Sequence, residues 1–198
     1  MTEKEKMLSG KLYLASDEEL RQMRQNARSI LDVFNASKFS DTIKRRDLIF
    51  QLFGQVGQNV KVNKPFYCDY GVNIHVGDNF YANYDCMIID VGEVKIGHNV
   101  FFGPRVNIYT AGHPIDKDVR NTQLEYGKTV TIGDDVWIGG NVVINPGVTI
   151  GSNVVIGSGS VVVKDIESNV VAAGNPCKVV RKITEKDKKF WEQEQNKH

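Results

Sequence analysis

The chain has 198 residues, enough for one domain or one domain with a small appendage, and its 41% hydrophobic and 25% charged residues exclude disorder over most of that length. Lys and Arg number 25 against 24 Asp and Glu, and the net charge of +1 gives no long-range pull on nucleic acid. No apolar run of roughly 18 residues is present to span a membrane, and the charged start MTEKEKMLSGKLYLASDEEL lacks a secretory signal core, so a cytoplasmic protein is expected.

Residues 1–55 read as a helical segment. Leu8, Leu12, Leu20, Met23, Ala27, Ile30, Leu31 and Phe34 are spaced for one apolar helical face. Asp17-Glu18-Glu19 suits a helix start, where negative charge meets the positive end of the macrodipole. Ser40-Asp41 is placed to cap a second helix carrying Ile43, Leu48, Leu52 and Phe53. Residues 56–71 lead on with alternating apolar positions at Val60, Val62 and Phe66.

A repeat of six then takes over. From Ile132 onward an aliphatic residue recurs at Ile138, Ile144, Ile150, Ile156 and Val162, often followed by Gly, with Val136, Val142, Val148, Val154 and Ser160 four residues behind. The same step runs through Ile96, Phe102 and Ile108, and through Val76, Ala82 and Ile88, with a slip of two between Ile88 and Ile96. A period of six is neither helical nor simple alternation. It fits short strands joined by sharp corners, each inward aliphatic filling a narrow core and Gly, Asn or Asp supplying positive φ at the corner. Stacked coils of this kind make a parallel β-helix, expected over residues 56–183.

The repeat breaks at residues 109–128, a polar segment with Gly112, His113 and Pro114 that reads as a loop ejected from the scaffold, a usual place for chemistry. Thr184 three residues before Asp187 marks a short helix in the tail, residues 184–198. Cys68, Cys86 and Cys177 have no paired spacing and read as small apolar packers. His75 and His98 occupy ordinary repeat positions and His198 is terminal, so no metal site is expected.

The segments YTAGHPID, GKTVTIGDDVWIGGNVVINPGVTIG, GSVVVKDIESNVVAAGNPCKVVRKI, EKEKMLSGKLY and DYGVNIHVGDNFYANYDCMIID resemble the maltose and galactoside O-acetyltransferases, hexapeptide-repeat acyltransferases, over nearly the whole chain. The resemblance implies a left-handed parallel β-helix of hexapeptide repeats with an N-terminal helical segment and a short C-terminal helix. It implies an acetyl-CoA-dependent O-acetyltransferase acting on a sugar such as maltose, glucose or a galactoside. An amino sugar, serine or a xenobiotic alcohol is the alternative acceptor, and a purely structural β-helix is the non-enzymatic one. It further implies direct transfer without an acyl-enzyme, and a homotrimer with sites between subunits, the N-terminal segment packing on the acceptor site.

Residue by residue, the resemblance makes His113 the general base, for a hydroxyl is a weak nucleophile at neutral pH unless an imidazole takes its proton. It places Asn83, Tyr81, Asp69 and Asp17 around the acceptor, with Asp90 near a further acceptor-site acid of the galactoside members. For the donor it points to Gly140, whose backbone N–H would face the thioester oxygen, and to Ser158, Val163 and Trp137. Lys164, Lys178 and Arg181 would meet the nucleotide phosphates. Glu125 either orients His113, binds acceptor hydroxyls or is a solvated loop charge.

Overall fold

The structure, a computed structural model, describes residues 1–197; His198 lies outside the described residues. Helix α1 (Glu3–Leu8) starts at Thr2, which with Glu5 forms a reciprocal capping pair. Gly10, at φ 73°, turns the chain out of it into a short strand β1 (Tyr13–Leu14). Helix α2 (Glu18–Ala36) is capped by Asp17, whose Oδ1 accepts the Glu19 and Leu20 N–H groups. Helix α3 (Thr42–Leu52) follows; Asp41 makes no side-chain cap there and accepts the Lys38 N–H instead.

The expected apolar face holds for α2, which buries Leu20, Ala27, Leu31 and Phe34. It fails upstream and at the start of α3. Leu8 and Leu12 are exposed because α1 ends at Leu8 and Tyr13, in β1, takes the inward place; Ile43, in the first turn of α3, points outward.

The chain then coils. The first coil is β2 (Gln55–Val56), β3 (Lys61–Val62) and β4 (Phe66–Cys68); the second is β5 (Ile74–Val76), β6 (Tyr81–Ala82) and β7 (Cys86–Ile89); the third is β8 (Val94–Ile96), β9 (Phe101–Phe102) and β10 (Asn107–Tyr109). An excursion of β11 (Ala111–Gly112), α4 (Lys117–Arg120) and β12 (Leu124–Gly127) intervenes. The fourth coil is β13 (Val130–Ile132), β14 (Val136–Ile138) and β15 (Val143–Ile144); the fifth is β16 (Thr149–Ile150), β17 (Val154–Ile156) and β18 (Val161–Val162). β19 (Val170–Ala173) and β20 (Lys178–Lys182) form a closing antiparallel hairpin before α5 (Glu185–Gln195).

First, second and third strands of successive coils stack in parallel register into three faces of a prism. The periodic aliphatics point inward and are buried, and Ile132, Ile138, Ile144, Ile150, Ile156 and Val162 are each no more than 1% exposed. Leu31, Phe34, Ile49, Leu52 and Phe53 of the N-terminal helices join the same core and close its first end.

Register pairs explain the slip in the repeat. Six residues always lead from face one to face two and from face two to face three, as in Val76, Ala82 and Ile88. Only the edge returning from face three to face one varies. From Cys68 to Val76 and from Ile88 to Ile96 it takes eight residues, from Ile108 to Ile132 it takes 24, from Ile144 to Ile150 six and from Val162 to Ile166 four.

The corners also correct one expectation. The Gly after the inward aliphatic is not the residue with positive φ. A Cβ on Gly133 would lie 2.8 Å from the Ser152 nitrogen in the next coil, so that glycine is there for close stacking. Positive φ falls two residues later, at Asn59, Asn79, Asn99, Asp135, Asn153 and Asn169, whose side chains bond along the edge from face one to face two.

Candidate active site

The ejected segment is not a bare loop. β11 and β12 pair antiparallel, β1 adds to the outer side of β12, and Met7, Tyr13, Leu20, Tyr70 and Val91 form a small separate core beneath them. This sheet grows from the variable edge and carries His113, which is exposed directly after β11. Its Nδ1 lies 3.4 Å from the Leu124 carbonyl. A carbonyl can only accept, so this contact assigns the proton to Nδ1 and leaves the lone pair on Nε2.

Beside it sits a cluster of polar groups. Tyr13 donates its hydroxyl proton to Glu125 at 2.8 Å, so Glu125 is held by the N-terminal strand. Burial, then that carboxylate, pushes the Tyr13 phenol well above its usual pKa. Arg24 reaches from α2 to the Tyr70 hydroxyl and the Ala15 carbonyl, both at 2.6 Å. Asp69 is half-buried between them, and burial raises its pKa although Arg24 pulls the other way. Its carboxylate accepts no hydrogen bond among the described residues, leaving its oxygens for a ligand. Asp17, assigned to the acceptor by resemblance, is occupied as the α2 cap.

Two of these residues escaped sequence reading. Arg24 is a cation on the apolar stripe of α2, one position from Met23, and that misplaced charge was the available signal. Tyr13 had no signal, because a two-residue strand pairing across 112 positions leaves no local pattern.

The remaining candidates fall elsewhere. Tyr81, Asn83 and Trp137 line a shallow groove of about 500 Å³ on face two with Phe101, Phe102 and Gly103. The Tyr81 hydroxyl accepts from Asn63, and Asn83 Oδ1 accepts the Tyr84 N–H. Trp137 is 57% exposed, stacked in register between Phe101 and Val155. Gly140 follows on the adjoining edge, its N–H without a partner among the described residues, and Ser158 lies exposed one coil further. Lys178 and Arg181 stand on β20 at the end of this face. Arg181 is engaged, its guanidinium forming two bonds of 3.0 and 2.7 Å with Asp187, whose carboxyl it holds down near pKa 2.

Val163 and Lys164, by contrast, are exposed on the variable edge, two coils beyond His113. One chain therefore keeps the candidate residues in two separate groups. His113, Asp69, Glu125, Val163 and Lys164 belong to the edge between faces three and one. Tyr81, Asn83, Trp137, Gly140, Ser158, Lys178 and Arg181 belong to face two and its neighbouring edge. The width of face three separates them, roughly 13 Å for the four residues of β7 alone. Among the described residues, no group of three or more His, Cys, Asp or Glu is placed to hold a metal ion.

Comparison with known proteins gives this stacked hexapeptide prism its class, the acyltransferases, and then its branch. Residues 6–57 match the maltose acetyltransferase hexapeptide capping motif, and residues 129–164 match the bacterial transferase hexapeptide family of six repeats. The chain is similar to the galactoside O-acetyltransferase of Escherichia coli, 46% identical with 94% of this chain and 92% of that protein covered. It is similar in structure to a maltose O-acetyltransferase from Clostridium difficile, at TM-score 0.92 and 56% identity over 93% of this chain and 98% of that one. It is equally similar to a galactoside acetyltransferase in complex with coenzyme A, at TM-score 0.92 and 47% identity over 95% of this chain and 94% of the other. The chain belongs to the maltose and galactoside O-acetyltransferase family of hexapeptide-repeat acyltransferases. It is an acyltransferase that takes acetyl-CoA as donor.

Proposed function

We propose that the chain transfers acetyl from acetyl-CoA directly to a hydroxyl of a sugar such as maltose, glucose or a galactoside, with His113 as general base. The observation that carries this reading is the exposed His113 ring, its Nδ1 turned to the Leu124 carbonyl, on the edge that also presents Asp69 and Glu125. Carboxylates and an arginine at such an edge suit an acceptor with several hydroxyls, which donates to the first and accepts from the second.

In the reaction, Nε2 of His113 takes the hydroxyl proton as the oxygen attacks the thioester carbon. The negative charge gathering on the carbonyl oxygen meets the unpartnered N–H of Gly140. Collapse of the tetrahedral species breaks the carbon–sulfur bond, and the imidazolium returns its proton to the departing thiolate. Pantetheine lies in the groove past Trp137 and Ser158, with Lys178 and Lys164 toward the phosphates; Arg181 joins them on release from Asp187. Because His113 and Gly140 sit on different edges of one chain, the reading requires two chains per site. A homotrimer supplies three equivalent sites from one kind of contact.

An acceptor panel with acetyl-CoA and a free-thiol readout tests it. Maltose, glucose and methyl galactoside should release thiol in the presence of enzyme, and serine, glucosamine and chloramphenicol should not. His113→Ala should lower kcat by about a hundredfold to ten-thousandfold while its thermal unfolding stays close to that of the unmutated protein, since the exposed ring has one long polar contact. Turnover of serine, glucosamine or chloramphenicol above the sugars would overturn the acceptor class. Near-normal turnover by a folded His113→Ala would overturn the base.

A further inference from the structure

Asp90 is fully buried at the variable edge in the second coil, an expensive place for a carboxylate. Its Oδ1 accepts the backbone N–H groups of Asp69 at 3.0 Å and Tyr70 at 2.8 Å, in the coil before. Its own carbonyl accepts the Asn73 side chain at 2.7 Å. Its Oδ2 has no partner among the described residues.

The bonding continues into the coil after. Thr110 Oγ1 donates to the Ile89 carbonyl and accepts the Gly92 N–H, both at 2.7 Å, flanking Asp90 on either side. The Thr110 carbonyl then accepts the Lys128 N–H at 2.8 Å, closing the neck of the segment that carries His113. Asn73, Asp90 and Thr110 thus form a continuous ladder. One end fixes the backbone of Asp69 and Tyr70, the second of which holds Arg24; the other end is the root of the His113 hairpin.

We infer that Asp90 is a positioning residue for the acceptor: its Oδ1 sets Asp69 and Tyr70 in place relative to the His113 hairpin without itself touching substrate. The inference rests on the proposed reading of Asp69 as an acceptor contact. Direct contact is excluded by geometry, because both side-chain oxygens are sealed from solvent, one under two backbone N–H groups and the other in the packed corner. Cys68, Asp69 and Tyr70 are the titratable groups packed against it, and none of them donates a side-chain hydrogen bond to its free oxygen. A neutral Asp90, protonated on Oδ2, does the same holding with less cost of burial.

Asp90→Asn and Asp90→Ala separate the possibilities. Asparagine keeps a side-chain oxygen for the two N–H groups and no charge; alanine removes the acceptor. Asp90→Asn should leave the acceptor KM within about threefold of the unmutated enzyme, and Asp90→Ala should raise it about tenfold or more, with the acetyl-CoA KM unchanged in both. Amide hydrogen exchange provides a second measurement that needs no acceptor: the Asp69 and Tyr70 amides should lose protection in Asp90→Ala and keep it in Asp90→Asn, while the Ile138 and Ile156 amides stay protected. An unchanged acceptor KM in a folded Asp90→Ala overturns the inference, as does an equal rise in the acetyl-CoA KM or unchanged exchange at Asp69 and Tyr70. If Asp90→Ala does not fold, an acceptor KM raised tenfold in Asp90→Asn overturns it. If the unmutated enzyme acetylates none of the three sugars, the sugar reading falls and the exchange measurement alone decides the role of Asp90.

Discussion

The proposed pairing of His113 from one chain with Asn83 from its neighbour makes a quantitative demand on mixed oligomers. His113 lies on the edge between faces three and one, and Asn83 on the edge between faces two and three, with all of β7 between them in sequence and space. Let His113→Ala and Asn83→Ala chains be prepared separately, each with little activity alone, then unfolded, mixed in equal amounts and refolded together. A site built from the His113 edge of one chain and the Asn83 edge of its neighbour is intact only when the first is an Asn83→Ala chain and the second a His113→Ala chain. Random assembly puts each in place half the time, so about a quarter of the unmutated activity should return. Each single variant refolded alone serves as the baseline, and thiol release with the best acceptor is the assay. A refolded mixture that is trimeric by sedimentation but no more active than its parents would refute the shared site and require both groups to act within one chain.

The core and the buried carboxylate yield two further tests. Ile144→Ala empties a fully buried position between Ile108 and Val162 and should cost about 2–5 kcal/mol, read as a lower urea midpoint at fixed protein concentration, whereas Val143→Ala, on the outward side of the same strand, should cost much less. Burial raises the Asp90 carboxyl from 3.8 to about 7. Between those values the folded chain keeps a proton that the unfolded chain has released, so this group's contribution to stability falls as pH rises from about 4 to 7, by on the order of 4 kcal/mol. Asp90→Asn should flatten that slope, and urea midpoints for both proteins at pH 5 and pH 8 that differ by the same amount would contradict it.

The prism was legible because its determinants are local and repeated: one inward aliphatic per strand and one small or amide residue per corner. The period says nothing of handedness, which entered through the family resemblance. The sheet beneath His113 was illegible for the opposite reason. β1 and β12 are two and four residues long and meet across more than a hundred positions, so neither alternation nor spacing announces them. Asp17 shows how one position can be read two ways, because an aspartate before a helix suits a cap as well as a ligand, and here its side chain is engaged as the cap. Arg181 shows the same for charge: its nearest anion in the structure is Asp187, six residues away, which the sequence displayed only as a helix start. Glu125 was left open among three roles, and its partner proved to be a tyrosine at the far end of the chain.

The constancy of two edges and the freedom of the third have an evolutionary meaning. A stack of parallel strands propagates any change of length, since one extra residue on a face would turn every later side chain inside out. Here the ladder of Asn and Asp along the edge from face one to face two runs in step past coils whose lengths differ widely, because every extra residue leaves and re-enters at a single seam. That seam is where a lineage can lengthen, shorten or rewrite the chain while the neighbouring faces stay aligned. Length changes at that seam alter the surroundings of His113 while the groove beside Trp137 on face two keeps its register from coil to coil.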